Sequence, residues 1–223
     1  MRTSSGIERN NFFQEYAIST AIEYNTSERT TQIYPYVKRF LDIIFAIVGL
    51  IISLPIMLII GILIKIESPG PVFYKQVRVG LHGNYFNVIK LRSMKVDAEN
   101  NGAQWAEKDD PRVTKIGKFI RRTRIDELPQ LWNVLVGDMS LIGPRPERPM
   151  FTAQFNEEIP GFVERLKVKP GITGWAQVNG GYDLTPKEKL ILDKYYINNM
   201  NFLLDLKIII KTIKIVITGY GAR

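Results

Sequence analysis

The pattern of apolar and polar positions divides this chain of 223 residues into a polar start, one long apolar run and a mixed remainder. Residues 1–36 are rich in Ser, Thr, Asn and Glu and hold no apolar core long enough for a secretory signal. They read as a weakly structured extension with a short helix near Phe12 to Tyr24. Lys38-Arg39 then open an apolar segment that Lys65 closes. Its uninterrupted part, Ile43 to Ile64, is 22 residues long. A straight helix of that length measures about 33 Å at about 1.5 Å per residue, enough to cross the hydrocarbon core of a bilayer. Pro55 sits inside it, with Ser53 two residues earlier. Proline removes one backbone hydrogen bond and bends a helix, and a nearby Ser hydroxyl can satisfy the freed carbonyl. Cations flank both ends, so charge does not orient the segment. The residues alone favour a spanning helix over a re-entrant hairpin that enters and leaves the same leaflet.

Beyond the turn Glu67-Ser-Pro-Gly-Pro71, the segments Val72–Val79 and Tyr85–Leu91 alternate in polarity and predict a β-hairpin around Gly80–Asn84. A polar loop follows. From Ile125, apolar residues recur at Leu128, Leu131, Trp132, Leu135 and Val136, which is helical spacing. Pro129 is tolerated only in a first turn, so this helix is expected to begin near Asp126. Gly143-Pro-Arg145-Pro146 and Lys169-Pro-Gly-Ile-Thr-Gly-Trp175 are loops shaped by Gly and Pro. Phe202 to Ile217 reads as an amphipathic helix with Lys207, Lys211 and Lys214 on one face, the pattern of a helix lying on anionic lipid.

Charge and composition narrow the chemistry. The net charge of +8 calls for an anionic partner. No RNA- or DNA-binding signature is present, so nucleic acid is not that partner. The chain has no cysteine, which excludes disulfides and Cys-ligated metals. Its single histidine, His82, lies in the hairpin turn, so catalysis by a Ser-His-Asp triad or a multi-His metal site is not expected. The most basic stretch, Arg112 to Arg124, carries six cations and no acid, and it runs directly into Asp126-Glu127. Carboxylates in such a field are expected to stay ionised. That makes them poor general acids and good candidates for a nucleophile and a metal ligand acting on a phosphate-bearing substrate.

Six motifs, in order over about residues 36–220, resemble the bacterial sugar transferases, the monotopic phosphoglycosyl transferases that prime glycan assembly. They are Lys38-Arg-Phe-Leu-Asp42, the helix-breaking Pro55, Lys90-Leu-Arg-Ser-Met94, Asp126-Glu-Leu-Pro-Gln-Leu-Trp-Asn133, Gly143-Pro-Arg-Pro146 and Lys169-Pro-Gly-Ile-Thr-Gly-Trp-Ala-Gln-Val-Asn-Gly180. The resemblance implies an α+β, mostly helical fold with an N-terminal re-entrant membrane helix hairpin, a small β-hairpin and interfacial amphipathic helices. It thereby reverses the preference for a spanning helix. The implied organisation is a polar extension (1–36), a membrane-embedded helix (37–66) and a catalytic domain on the cytoplasmic face of the plasma (inner) membrane (67–223). One departure is that relatives often place Ser directly before the proline, where this chain has Leu54.

The implied reaction moves sugar-1-phosphate from a UDP-sugar to polyprenyl (undecaprenyl) phosphate and releases UMP, with Mg²⁺ as cofactor. By resemblance, Asp126 is the nucleophile and Glu127 binds Mg²⁺ or orients the incoming phosphate, with Asp126 a second candidate ligand. Arg121 and Arg145 hold phosphate, because a planar guanidinium grips two oxygens at once. Lys90 and Arg92 are further phosphate candidates, and Gln177 and Asn179 are candidates for the nucleotide or sugar. Two other readings are open: a non-catalytic, basic, membrane-anchored scaffold for anionic lipid, and a glycosyltransferase that moves sugar without its phosphate. The sequence leaves the sugar, the glycan, and the choice between monomer and homo-oligomer open.

Overall fold

The computed structural model describes residues 33–99 and 110–218. Residues 1–32 of the polar extension, with its anticipated helix near Phe12, lie outside them, while its last residues, from Tyr34, open the first helix. The fold is mostly helical, with two small sheets. In chain order the elements are α1 (Tyr34–Glu67), β1 (Phe73–Val79), β2 (Tyr85–Leu91), α2 (Lys115–Arg122), α3 (Gln130–Val136), β3 (Ser140–Ile142), α4 (Pro149–Glu158), β4 (Gly171–Thr173), α5 (Trp175–Val178), α6 (Pro186–Asn198) and α7 (Phe202–Thr218). β1 and β2 form the expected antiparallel hairpin, with Tyr74 opposite Lys90 and Val79 opposite Tyr85. The second sheet, a parallel pairing of β3 with β4, was not anticipated. Its strands are three residues each, too short to show alternation.

α1 extends well beyond the apolar run at its N-terminal end because its polar residues there are bound by the rest of the molecule. Asp205 on α7 accepts hydrogen bonds from Tyr34 Oη (2.6 Å) and Lys38 Nζ (2.8 Å). Arg39 donates to the carbonyls of Val134 (2.6 Å) and Leu135 (3.0 Å), which are among the last carbonyls of α3. Asp42 Oδ1 accepts from the backbone N–H of Leu141 at 3.0 Å. The C-terminal end of α1 is tied as firmly. Glu67 accepts from the N–H groups of Lys115 (2.7 Å) and Ile116 (3.0 Å) and so caps α2, alongside Thr114, whose hydroxyl accepts from Gly117.

Between these ends, one face of α1 packs into the core. Ala46 is buried with Val88, Val134 and Met139, and Ile60 and Ile64 are buried with Leu91 and Ile120. Gly49 lets α1 approach α3 closely, since a Cβ there would stand 2.9 Å from Leu131 Cδ1. The opposite face, including Ile51, Ile52, Leu54, Leu58, Ile59 and Ile62, is exposed. Backbone helicity continues through Pro55. Ser53 donates to the carbonyl of Leu50 at 3.3 Å, one residue before the carbonyl that the proline frees.

The remaining core sits between α6, α7 and β3, where Ile142, Tyr196, Leu204 and Ile208 cluster, and under α4, where Phe155 and Phe162 meet Leu190. Asn133 is 2% exposed and joins α3 to β2. Its Oδ1 accepts from Ile89 N (3.1 Å) and its Nδ2 donates to Asn87 O (2.7 Å). The expected C-terminal helix is present as α7, with Leu204, Asp205 and Ile208 turned inward. Leu206, Ile209, Ile210, Ile213 and Ile217 are exposed on its other side.

Asp205 is 5% exposed and also accepts from Tyr196 Oη at 2.9 Å. Replacing it with Ala would leave the Lys38 ammonium and the Tyr34 hydroxyl without this acceptor, and Tyr196 with only the Ile142 carbonyl at 3.3 Å. Loss of one member of a buried pair costs about 3–5 kcal/mol. Thermal unfolding of Asp205→Ala in detergent should therefore show a clearly lowered midpoint, and Asp205→Asn a smaller loss.

Candidate active site

The helix expected to begin near Asp126 begins later, and the acid pair lies ahead of it. Ile125–Glu127 is a turn of 3₁₀ helix, and α3 begins only at Gln130. The turn is set by Arg124, whose backbone is left-handed (φ 59°) although it is not glycine. Such a residue costs on the order of 1–3 kcal/mol and recurs at functional sites. Here it reverses the chain between α2 and the acid pair, so that Arg121 of α2 and the two carboxylates face one cleft.

Glu127 Oε1 accepts hydrogen bonds from Lys90 Nζ on β2 and from Arg145 NH2 on the Gly143–Pro146 loop, both at 2.7 Å. Burial works to raise its carboxyl, but Arg145 and Lys90 outweigh it and hold Glu127 well below the ordinary carboxylate range. Asp126 behaves differently. Burial dominates, Lys90 opposes it, the neighbouring Glu127 charge adds to it, and the carboxyl is pushed up to about 6. The sequence expectation that both acids stay ionised therefore holds for Glu127 and is corrected for Asp126, which lies close to titration in the unliganded site. Asp126 is 6% exposed, and its Oδ1 is buried without a hydrogen-bond partner.

Two cavities meet at Glu127. The larger, about 320 Å³, is the more polar of the two; Asp126, Glu127, Lys90, Arg121, Arg145 and the β1 residues Tyr74, Gln76 and Arg78 are among its lining residues. Arg121 donates through Nε to Ser93 Oγ at 2.8 Å, which aims it from α2. The second, about 210 Å³, is walled by Leu128, Leu131, Ile172, Val178, Ile215 and Val216. Arg124, Glu127, Arg145, Glu147 and Lys189 border both.

The Arg145 loop is fixed backbone to backbone. Gly143 N donates to Thr173 O (2.9 Å), and Gly171 N to Pro144 O (2.9 Å). A Cβ on Gly171 would fall 2.0 Å from Gly143 N, and one on Gly174 2.1 Å from Gly143 O. The two Gly/Pro motifs are thus a single zipper that places Arg145. Behind it, Arg165 donates to the Arg145 carbonyl (3.0 Å) and to Asp193 (2.6 Å).

Not every candidate from the sequence converges here. Arg92 is 6% exposed and borders the polar cavity, but its guanidinium donates to the carbonyls of Ser68 and Pro69, which fixes the turn after α1. Gln177 lines the apolar cavity, with both atoms of its amide buried and unpartnered. Asn179 borders neither cavity. It donates to Trp175 O (2.7 Å) and accepts from Lys211 (2.6 Å). Lys207 and Lys211 stand over the Trp175 ring, at 5.3 and 4.8 Å from its centroid, while Lys214 is exposed farther along α7. The sequence reading missed Arg124, Glu147, Lys189, Ser93 and the β1 face. Of these, Arg124 closes the basic stretch, Ser93 lies within the Lys90–Met94 motif and the β1 face shows alternate polar positions at Tyr74, Gln76 and Arg78, whereas Glu147 and Lys189 left no signal.

Among the described residues no three His, Cys, Asp or Glu side chains gather as a metal cage. Magnesium takes one or two carboxylates together with substrate phosphates and water, so the Asp126–Glu127 pair with its unpartnered oxygen suits it.

Lys90 supplies the attraction that opposes burial at Asp126. In metal-free protein the Asp126 carboxyl carbon should titrate near pH 6 by NMR, and Lys90→Met should move that titration to higher pH. A downward move or none would show that the Lys90 charge is not what opposes burial at Asp126.

The family profile described as bacterial sugar transferase matches residues 33–219. A UDP-N-acetylgalactosamine-undecaprenyl-phosphate N-acetylgalactosaminephosphotransferase of Aeromonas hydrophila is 50% identical over 194 residues, which cover 86% of this chain and 46% of that protein. A Bacillus subtilis protein provisionally named an undecaprenyl-phosphate N-acetylgalactosaminyl 1-phosphate transferase is 58% identical over 156 residues, covering 70% of this chain and 87% of its own. The UDP-glucose:undecaprenyl-phosphate glucose-1-phosphate transferase of Escherichia coli is 42% identical over 181 residues, covering 79% and 39%. The chain thus spans less than half the length of the first and third of these relatives and most of the second. The chain belongs to the bacterial sugar transferase family.

Proposed function

We propose that this chain transfers sugar-1-phosphate from a UDP-sugar to polyprenyl phosphate, giving polyprenyl-diphosphate-sugar and UMP, as a membrane step of glycan biosynthesis. The observation that carries this is the acid pair. Asp126 presents a buried, unpartnered carboxylate oxygen beside Glu127, which is itself held by Lys90 and Arg145 in a cavity rimmed with cations. Relatives whose names state undecaprenyl-phosphate sugar phosphotransfer support the substrates.

In the first step Asp126 attacks the sugar-side phosphorus. A P–O bond forms to the carboxylate, the bond to the bridging oxygen breaks, and its electron pair leaves with UMP. In the second step an oxygen of the polyprenyl phosphate attacks the acyl phosphate, and the Asp126 carboxylate is released. Ionised carboxylates act in this way in aspartyl-phosphate enzymes. Glu127 and Asp126 would hold magnesium, which when bound would supply positive charge to the diphosphate. Arg121 and Arg145 bind phosphate oxygens and steady the charge carried off by the leaving group.

The membrane arrangement proposed with this chemistry is monotopic, with α1 re-entrant. Both of its ends are fixed to the same body, by Asp205 at Tyr34 and Lys38 and by the α2 N-terminus at Glu67. Its exposed apolar face, together with that of α7, would lie in one leaflet, with the site at the cytoplasmic face of the plasma (inner) membrane.

Product analysis separates the enzymatic readings: UMP release supports this proposal, and UDP release would identify plain glycosyl transfer. Asp126→Asn should abolish turnover while leaving the thermal midpoint near that of wild type. Wild type given UDP-sugar without lipid should gain a sugar-phosphate mass that the variant lacks. Retained activity in Asp126→Asn would remove the covalent route.

Arg145→Lys should cost about tenfold to a hundredfold in kcat/KM, since a charge-assisted hydrogen bond is worth about 1.5–3 kcal/mol and Lys cannot grip two oxygens. Equal activity would mean that only net charge matters there.

Topology has its own test in a chain without cysteine. Ser5→Cys should be shielded from an impermeant thiol reagent in intact cells and labelled once the cells are opened. Labelling in intact cells would mean that α1 spans the bilayer.

A further inference from the structure

The apolar cavity beside Glu127 plays no part in the donor chemistry above. We propose that it is the acceptor site, holding the phosphate head and first isoprene units of the polyprenyl phosphate. The assignment rests on the reaction proposed above and adds to it where the lipid binds. Four observations carry it.

The cavity is amphipathic in the sense the ligand requires. Leu131, Ile172, Val178 and Ile215 supply apolar walls, while Arg124 and Lys189 stand among the charged residues that line it. An anion with a hydrocarbon tail satisfies both parts. A nucleotide would leave its polar edges against the apolar walls, and a plain hydrocarbon would leave the charges desolvated.

Its position also fits. Glu127 and Arg145 line this cavity and the polar one alike, so a phosphate at its charged end would lie beside the acid pair without competing for the donor's space.

The cavity contains a polar group that asks for a ligand. Gln177 keeps both amide atoms buried without a partner on an otherwise largely apolar wall. Its Nε2 is a donor for a phosphate oxygen, and a buried unmade hydrogen bond costs about 1–3 kcal/mol until it is supplied.

Finally, there is a way out for the tail. Val216 lines the cavity and is also 39% exposed, next to Ile217 and Ile213 on the exposed apolar face of α7. A chain leaving past Val216 would pass directly onto the surface proposed to lie in the leaflet.

The test uses the full chain in phospholipid vesicles and a polyprenyl phosphate with a diazirine in its second isoprene unit. Photolysis should label peptides within residues 172–178 and 212–216. Unmodified polyprenyl phosphate should suppress that labelling, and excess phosphatidylglycerol should not. Suppression by phosphatidylglycerol would make the cavity a general phospholipid site and overturn the assignment, as would labelling confined to the exposed face of α1. A kinetic arm uses Val216→Trp, which fills the exit. The acceptor KM should rise about tenfold with the donor KM unchanged, the pattern of a binding loss specific to one substrate. An unchanged acceptor KM in a folded variant would sink the idea; should Val216→Trp not fold, the labelling of wild type still decides. Wild type that releases no UMP with polyprenyl phosphate would refute the reaction itself. Wild type that releases UMP but is labelled elsewhere would refute only the cavity.

Discussion

A single helix of 34 residues, mostly Ile and Leu on its outer side, must be held at both ends or it will not fix anything else. Here both ends are held by polar bonds to the same body. Tyr34, Lys38, Arg39 and Asp42 bind α7, α3 and β3, and Glu67 caps α2. Each tie answers a need on the other side: exposed carbonyls at the end of α3, free N–H groups at the start of α2, an anion on α7. The cleft that holds the acid pair is then built on elements that α1 has already located. β2 carries Lys90 and packs its Val88 and Leu91 against α1, and α2 carries Arg121 and packs its Ile120 there. The membrane contact proposed for α1 and the geometry of the acid pair thus depend on the same helix.

Within that frame, two adjacent carboxylates diverge because their neighbours differ. Glu127 has two cations on one oxygen and stays charged, whereas the unpartnered oxygen of Asp126 leaves burial to dominate. An acid group poised near neutrality beside one that is firmly ionised is an arrangement that active sites use to divide roles. For Asp126 the environment that raises its proton affinity also leaves its anion less solvated, which suits the attacking role proposed for it.

What the sequence made legible was local or compositional. The hairpin emerged because alternation over seven residues matches a half-buried strand, and α1 and α7 because long Ile/Leu runs admit few alternatives. The acid pair stood out against the cations before it, and the family motifs gave it roles. Long-range contacts were illegible. Nothing in Lys-Pro-Gly-Ile-Thr-Gly states that it zips onto Gly-Pro-Arg-Pro, and no propensity predicts a left-handed Arg124. Arg92 looked like a phosphate ligand because a motif carries it, yet its donors close a turn. Asn179, two residues from Gln177, points to Lys211 because a short helix turns successive side chains to different faces.

The burial of charge also separates the enzyme from the scaffold reading. A protein that only holds anionic lipid needs cations on its surface, where they keep their hydration and cost little. This chain instead desolvates Asp126 and Glu127 to below 9% exposure and adds a second buried pair, Arg165–Asp193, that supports the Arg145 carbonyl from behind. Taking ions out of water costs several kcal/mol each, and the attraction regained seldom returns more than that. Such an arrangement reduces stability for the sake of position. Position matters when a carboxylate must meet a phosphorus at a fixed distance and angle, and it matters hardly at all when a diffuse positive surface would serve.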